Sequence, residues 1–125
     1  MGTVAAAEKV NLREKLGRIH ELWSPKILAQ VNDAYLKLVK VKGEYVWHDH
    51  KREDELFLVV RGRITVQFRD HDVELVEGEF VVVPKGVEHR PVAEQEADVL
   101  LIEPTTTVNT GNVREARTQT ELEWI

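Results

Sequence analysis

GEYVWHDHKREDELFLVVRG, residues 43–62, sets two histidines and a charged run ahead of an apolar segment, with a glycine at each end. His48 and His50 stand two apart in an extended run, so their rings project from one face. Glu55 opens the apolar run Leu56 to Val60 and enters the strand there, which favours it over Glu53 and Asp54 as an inward carboxylate. Further on, GEFVVVPKGVEH, residues 78–89, brings in His89 after a tight Pro84-Lys85-Gly86 turn. Proline at the second turn position and glycine at the fourth suit a type I turn. Three imidazoles and one carboxylate form a mixed N/O donor set, suited to iron, manganese, nickel, cobalt, copper or zinc and not to calcium. Four such ligands around an octahedral ion leave positions open for water or substrate, the mark of a reactive site. The run His48 to Glu55 also reads as a solvated, charged loop between strands, and spacing alone leaves both readings open. His20, beside a helical stripe, and His71, between two aspartates in a hairpin turn, are assigned no site role.

Outward from these stretches the chain reads as strands. Segments 26–31, 35–42, 44–50, 55–61, 63–69, 73–76, 79–84, 87–92 and 97–103 are rich in Val, Ile, Leu, Phe and Tyr. Turn residues such as Asn32-Asp33, Gly43, Gly62 and Gly78 separate several of them. Ile64, Val66 and Phe68 alternate with Arg63, Thr65, Gln67 and Arg69, giving one buried and one wet face. Short strands at close spacing without intervening helices predict an all-β antiparallel sandwich or barrel. Ahead of them Leu12, Leu16, Ile19 and Trp23 share one helical face, with Asn11 and Glu14 as an N-cap pair and Ser24-Pro25 as the stop. Gly17 predicts that this helix is short or bent. The organisation expected is an N-terminal helical segment at 1–25, a barrel at 26–104 and a tail at 105–125. Leu122, Trp124 and Ile125 predict that the tail docks on the body or on a second copy.

Composition bounds what such a barrel does. A chain of 125 residues, 42% hydrophobic and 31% charged, is one globular domain. No run approaches the ~18 apolar residues that cross a bilayer as a helix. The first ten residues lack the pattern of a secretory leader, and Ala6 stands where a myristoylation signal needs Ser or Thr. With no cysteine, disulfides, thiolate nucleophiles and iron–sulfur clusters are excluded. A net charge of −5 disfavours nucleic acid and anionic lipid. A cytoplasmic protein with neither a nucleic-acid nor a membrane partner is the expectation.

The two quoted stretches together resemble the paired motifs of the cupin superfamily. The first motif is matched by Gly43, four residues, His48-Asp49-His50, four residues, Glu55, six residues and Gly62; the second by Gly78, five residues, Pro84-Lys85-Gly86, two residues and His89. The first spacer is one residue shorter than is commonest. The second motif usually ends in Asn four residues after its histidine, and here that position is Ala93. The resemblance implies a small double-stranded β-helix, or jelly-roll barrel, in which His48, His50, Glu55 and His89 bind one divalent metal ion such as iron, manganese, nickel or zinc. It also implies a homodimer, with the Lys26 to Val31 strand and the apolar tail as candidate contacts. Members serve as dioxygenases, sugar-phosphate isomerases, decarboxylases, lyases and binding proteins. Residues expected to line the cavity, namely Val46, Phe57, Val59 and part of Phe80 to Val83, are apolar. Lys40, Arg61 and Arg90 are the basic residues expected within reach of its rim. Tyr45 reads as outer-face packing and Glu53 as surface charge. The expected function is a mononuclear metalloenzyme acting on a small organic molecule or sugar derivative, of dioxygenase or isomerase/lyase type. The alternative is a non-catalytic cupin module that binds a small ligand or metal. No catalytic acid or base and no organic cofactor is indicated.

Overall fold

The computed structural model describes residues 7–125, so the readings made on the first six residues lie outside it. Helix α1 spans Leu12–Leu16 and is capped by Asn11, whose Oδ1 accepts from the Glu14 N–H at 3.1 Å. The helix ends at Gly17 and not at Ser24-Pro25. A helix of five residues has little stability of its own, so tertiary contacts decide its length. The expected stripe divides accordingly. Leu12, Leu16 and Ile19 pack with Leu28 and Leu38 on the outside of the sheet, whereas Trp23, at φ 59°, turns toward the barrel core.

Seven strands follow: β1 Lys26–Val31, β2 Ala34–Glu44, β3 Glu55–Arg61, β4 Arg63–Phe68, β5 Asp72–Val76, β6 Phe80–Val83 and β7 His89–Pro104. All pair antiparallel, in the order β1-β2-β7-β3-β6, with β4 joining β7 to β5. This jelly-roll wall closes around a core that includes Val39, Val41, Phe57, Val59, Ile64, Val66, Val99 and Leu101. In β4 the buried residues are Ile64, Val66 and Phe68, as the alternation requires.

Two strand readings need correction. Segments 87–92 and 97–103 are one strand, because the exposed Glu94-Gln95-Glu96 run lies inside β7. Register shifts between Val41 and Gly43 and between Val59 and Arg61 let this strand bend from one wall into the other. Segment 44–50 is not a strand. After Glu44 the chain touches a ladder at His48, which exchanges backbone hydrogen bonds of 3.0 and 2.9 Å with His89. The turn before His89 also differs: Pro84 O accepts from Val87 N–H at 3.2 Å, which puts Gly86 third, with φ +80°. A positive φ at that position belongs to a type II turn.

Residues 105–125 lie against the barrel. Ile27 N–H donates to Glu123 O at 2.8 Å and accepts at its own carbonyl from Ile125 N–H at 3.0 Å. Nearer the barrel mouth, Thr107 and Thr110 are buried, and Asn112 bonds both backbone groups of Asp49. No helix among the described residues is long and apolar enough to cross a membrane.

Candidate metal centre

His48, His50, Glu55 and His89 converge, one candidate ligand atom from each lying within 4.8 Å of all the others. Four different pieces of backbone geometry bring them there. Glu55 begins β3 on the same face as Phe57 and Val59, and His89 begins β7. The His48–His89 bridge sets the irregular segment beside β7, and Gly86 N–H donates to His50 O at 2.7 Å. Asp54, the rejected carboxylate, instead accepts from the Lys85 N–H at 2.9 Å and ties the two motif turns together. Glu53 accepts from Thr106 Oγ1, and Ala93 fills the core opposite Gly43.

The ring orientations are fixed by carbonyls. His48 Nδ1 donates to Val46 O at 2.8 Å and His89 Nδ1 donates to Val87 O at 2.9 Å. A carbonyl only accepts, so each ring carries its proton on Nδ1 and presents the Nε2 lone pair inward. His89 Nε2 then stands 3.2 Å from Glu55 Oε1, to which it can donate only when the ring carries a second proton. His50 Nε2 stands 3.4 Å from the same oxygen and, though buried, has no hydrogen-bond partner among the described residues. Converging lone pairs repel unless a cation sits among them, and a divalent ion meets that need. Burial, followed by the proximity of the His89 imidazole, lowers the His48 pKa from its ordinary 6.5 to about 4, so this imidazole is neutral and free to ligate at physiological pH.

One further carboxyl belongs to this neighbourhood and escaped the sequence reading. Glu103, 2% exposed, accepts from Lys37 Nζ at 2.8 Å and neighbours Glu55 across the β3–β7 ladder. Burial first, and the charge of Glu55 second, drive the Glu103 carboxyl well above the usual carboxylate range. Burial also works to raise Glu55, but the close approach of Glu103 and of the His50 and His89 rings outweighs it and holds Glu55 well below. The signal was parity. Lys37 has the inward parity of Val39 and Val41, and Glu103 that of Val99 and Leu101.

His48 and Glu55 open onto a small cavity of about 40 Å³ lined chiefly by apolar groups, among them Val41, Phe57, Ile64 and Leu101. Phe57 and Val59 are buried inward as expected, whereas in β6 only alternate residues turn in, leaving Phe80 and Val82 exposed. Tyr45 corrects the outer-face reading: it is buried, lines the cavity and stacks on Trp23 with ring centroids 4.5 Å apart. Asn109 Nδ2 donates to its hydroxyl at 3.0 Å, and the Arg117 guanidinium lies 4.7 Å from its ring centre. The expected rim cations are engaged elsewhere. Lys40 and Arg61 pair with Asp98 at 3.3 and 2.9 Å, and Arg90 bonds Gln67. His71 is exposed, stacks on Phe68 and is not among the clustered residues.

A family model described as a cupin domain matches residues 36–104. A cupin-2 domain protein from Shewanella frigidimarina is 45% identical, with a TM-score of 0.75 over 76% of this chain and 93% of its own. Protein NMB1881 from Neisseria meningitidis is 39% identical, with a TM-score of 0.72 over 78% of this chain and 99% of its own. The uncharacterized protein YdbB of Bacillus subtilis is 36% identical over 64 residues, which are 50% of this chain and 57% of that protein. The match thus spans little more than half of YdbB.

Proposed function

The chain belongs to the cupin family, and we propose that it is a mononuclear metalloenzyme acting on a small organic molecule. The observation that carries this reading is the convergence of buried lone pairs from His48, His50, Glu55 and His89 beside an apolar cavity. Bound there, a divalent ion such as iron, manganese, nickel or zinc supplies polarisation of a carbonyl or, with iron, access to oxygen chemistry. The chain's own residues do the rest. Val46 and Val87 carbonyls hold the rings of His48 and His89. Phe57, Ile64 and Leu101 exclude water from the bound molecule, and the Trp23–Tyr45 stack forms part of the surrounding wall. Such a lining selects a compact, largely apolar molecule with one oxygen-bearing end directed at His48 and Glu55. No buried cation is available in it to neutralise a phosphate, since the Lys37 ammonium is already held by Glu103. That favours a non-phosphorylated substrate for dioxygenase or isomerase/lyase chemistry.

A homodimer is part of the same proposal. Strand β6 is a sheet edge whose outer face exposes Phe80 and Val82 beside the half-buried Leu58 and Leu56 in register with them. A second copy covering this edge would remove both the apolar surface and the unpaired backbone from water.

Metal content of untagged protein, measured by mass spectrometry, tests the reading. About one equivalent is expected, with near-complete loss in the double variant His48→Ala/His89→Ala. Iron would direct the next assay to oxygen consumption, and zinc, nickel or manganese to carbonyl chemistry. Protein that neither carries metal nor takes it up on reconstitution overturns the proposal.

A further inference from the structure

Four ligands account for the centre, but they do not account for Glu103. Its Oε1 accepts from Lys37 Nζ at 2.8 Å, and both side chains are 1% exposed. Its Oε2 is buried and has no hydrogen-bond donor among the described residues. The neighbouring carboxyl is Glu55. Leu56 pairs with Ile102, so one step along that antiparallel ladder sets Glu55 opposite Glu103. Lys37 pairs with Leu101 and therefore reaches Glu103 on the diagonal. Lys37, Glu103 and Glu55 thus cross the inner wall at one level, one each from β2, β7 and β3. The row ends at the carboxylate that faces His50 and His89.

Stability is a poor reason for such a row. A buried ion pair contributes little net free energy, and well-packed apolar residues of similar volume do as well or better. Orientation is the better reason. A carboxylate at the start of a strand has free rotamers, and a ligand is useful only when its oxygen points at its fellow ligands.

We infer that Glu103, anchored by Lys37, is a positioning residue that holds the Glu55 carboxylate toward His50 and His89 and thereby raises the affinity of the centre for a divalent ion. The inference rests on the metal-binding reading above. Glu103 acts through Glu55.

The test is a cobalt(II) titration of the chelator-stripped full chain, followed by visible absorption, with circular dichroism and thermal melting as controls for folding. Glu103→Leu alone strands the Lys37 ammonium in the core. The double variant Lys37→Met/Glu103→Leu removes both charges and keeps the wall filled. It is expected to fold and to bind cobalt roughly 10- to 100-fold more weakly. Glu103→Gln is expected to stay within about threefold of wild type, because its amide can accept from Lys37 and donate to Glu55. A purely packing role would shift melting temperature while leaving cobalt affinity untouched. A folded double variant with wild-type affinity therefore overturns the inference, as does a Glu103→Gln variant as weak as the double one. Wild-type protein that binds no cobalt brings down the metal reading and this inference with it. Wild-type binding with unchanged variants sinks the inference alone.

Discussion

Gly111 lies where the tail crosses the His48-Asp49 segment, and its φ of +56° is one that side-chain-bearing residues seldom adopt. A Cβ there would run into the Asp49 carbonyl and come within 3.0 Å of the His48 ring. The carbonyl is backbone and cannot step aside cheaply. Gly111→Ala is therefore expected to cost about 3 kcal/mol, from strain and overpacking together. A chain of this size should then melt roughly 10 °C lower in calorimetry. An unchanged melting temperature would mean that the tail does not press on the site. Nothing in the sequence around Gly111 announces this, because its constraint comes from residue 49, far away in the chain. The ligands are the opposite case. The resemblance to the paired cupin motifs picks out His48, His50, Glu55 and His89 as candidates, and the structure brings those four together. Lys37 and Glu103 were legible only as parity violations, and parity means something only once the inward face of each strand is known. Tyr45 was misread because its stacking partner, Trp23, lies 22 positions earlier and outside the helix to which periodicity assigned it.

At the scale of elements, local pattern identified strands well and their ends less well. The alternation in β4 is plain because Ile64, Val66 and Phe68 are buried while Arg63, Thr65 and Gln67 between them are exposed or half-buried. In β7 the polar Glu94-Gln95-Glu96 run reads as a break, whereas the strand passes through it while bending between walls. Segment 44–50 carries strand-like residues, yet the chain there follows the His48–His89 bridge and the ligand rings and forms no extended ladder. Edge strand β6 leads to a prediction of its own. Phe80 and Val82 are 59% and 46% exposed and point away from the core, so lysine at both positions should leave the fold intact. If β6 lies at the homodimer contact, Phe80→Lys/Val82→Lys should convert dimer to monomer in light scattering, with metal content unchanged. A wild-type monomer, or a variant that remains dimeric, removes β6 from that role.

For the molecule as a whole, the centre makes stability depend on pH. His48 titrates near pH 4 in the folded protein against an ordinary 6.5. Between those values the unfolded chain binds a proton that the folded chain refuses, so acidification through this window removes stability. Glu55, held below its ordinary 4.5, acts in the same direction once pH falls past that value. Glu103 acts in reverse. Its raised folded pKa contributes stability that is complete below 4.5 and declines as pH rises above it. His48 and Glu103 therefore work in opposite directions above pH 4.5, and below 4.5 His48 and Glu55 act together. Chelator-treated protein should show a steep fall in melting temperature below pH 4.5, where His48 and Glu55 act together. A melting temperature that holds down to about pH 3.5 contradicts these assignments.

Strand β7 reaches from His89, at the metal cluster, to Glu103, beside Glu55, and pairs with β2, β3 and β4 along the way. Three of the four ligands precede it in the chain. During synthesis, then, His48, His50 and Glu55 emerge before the strand that sets His89 beside them and closes the walls. An ion that used all four donors would be held only by a finished barrel.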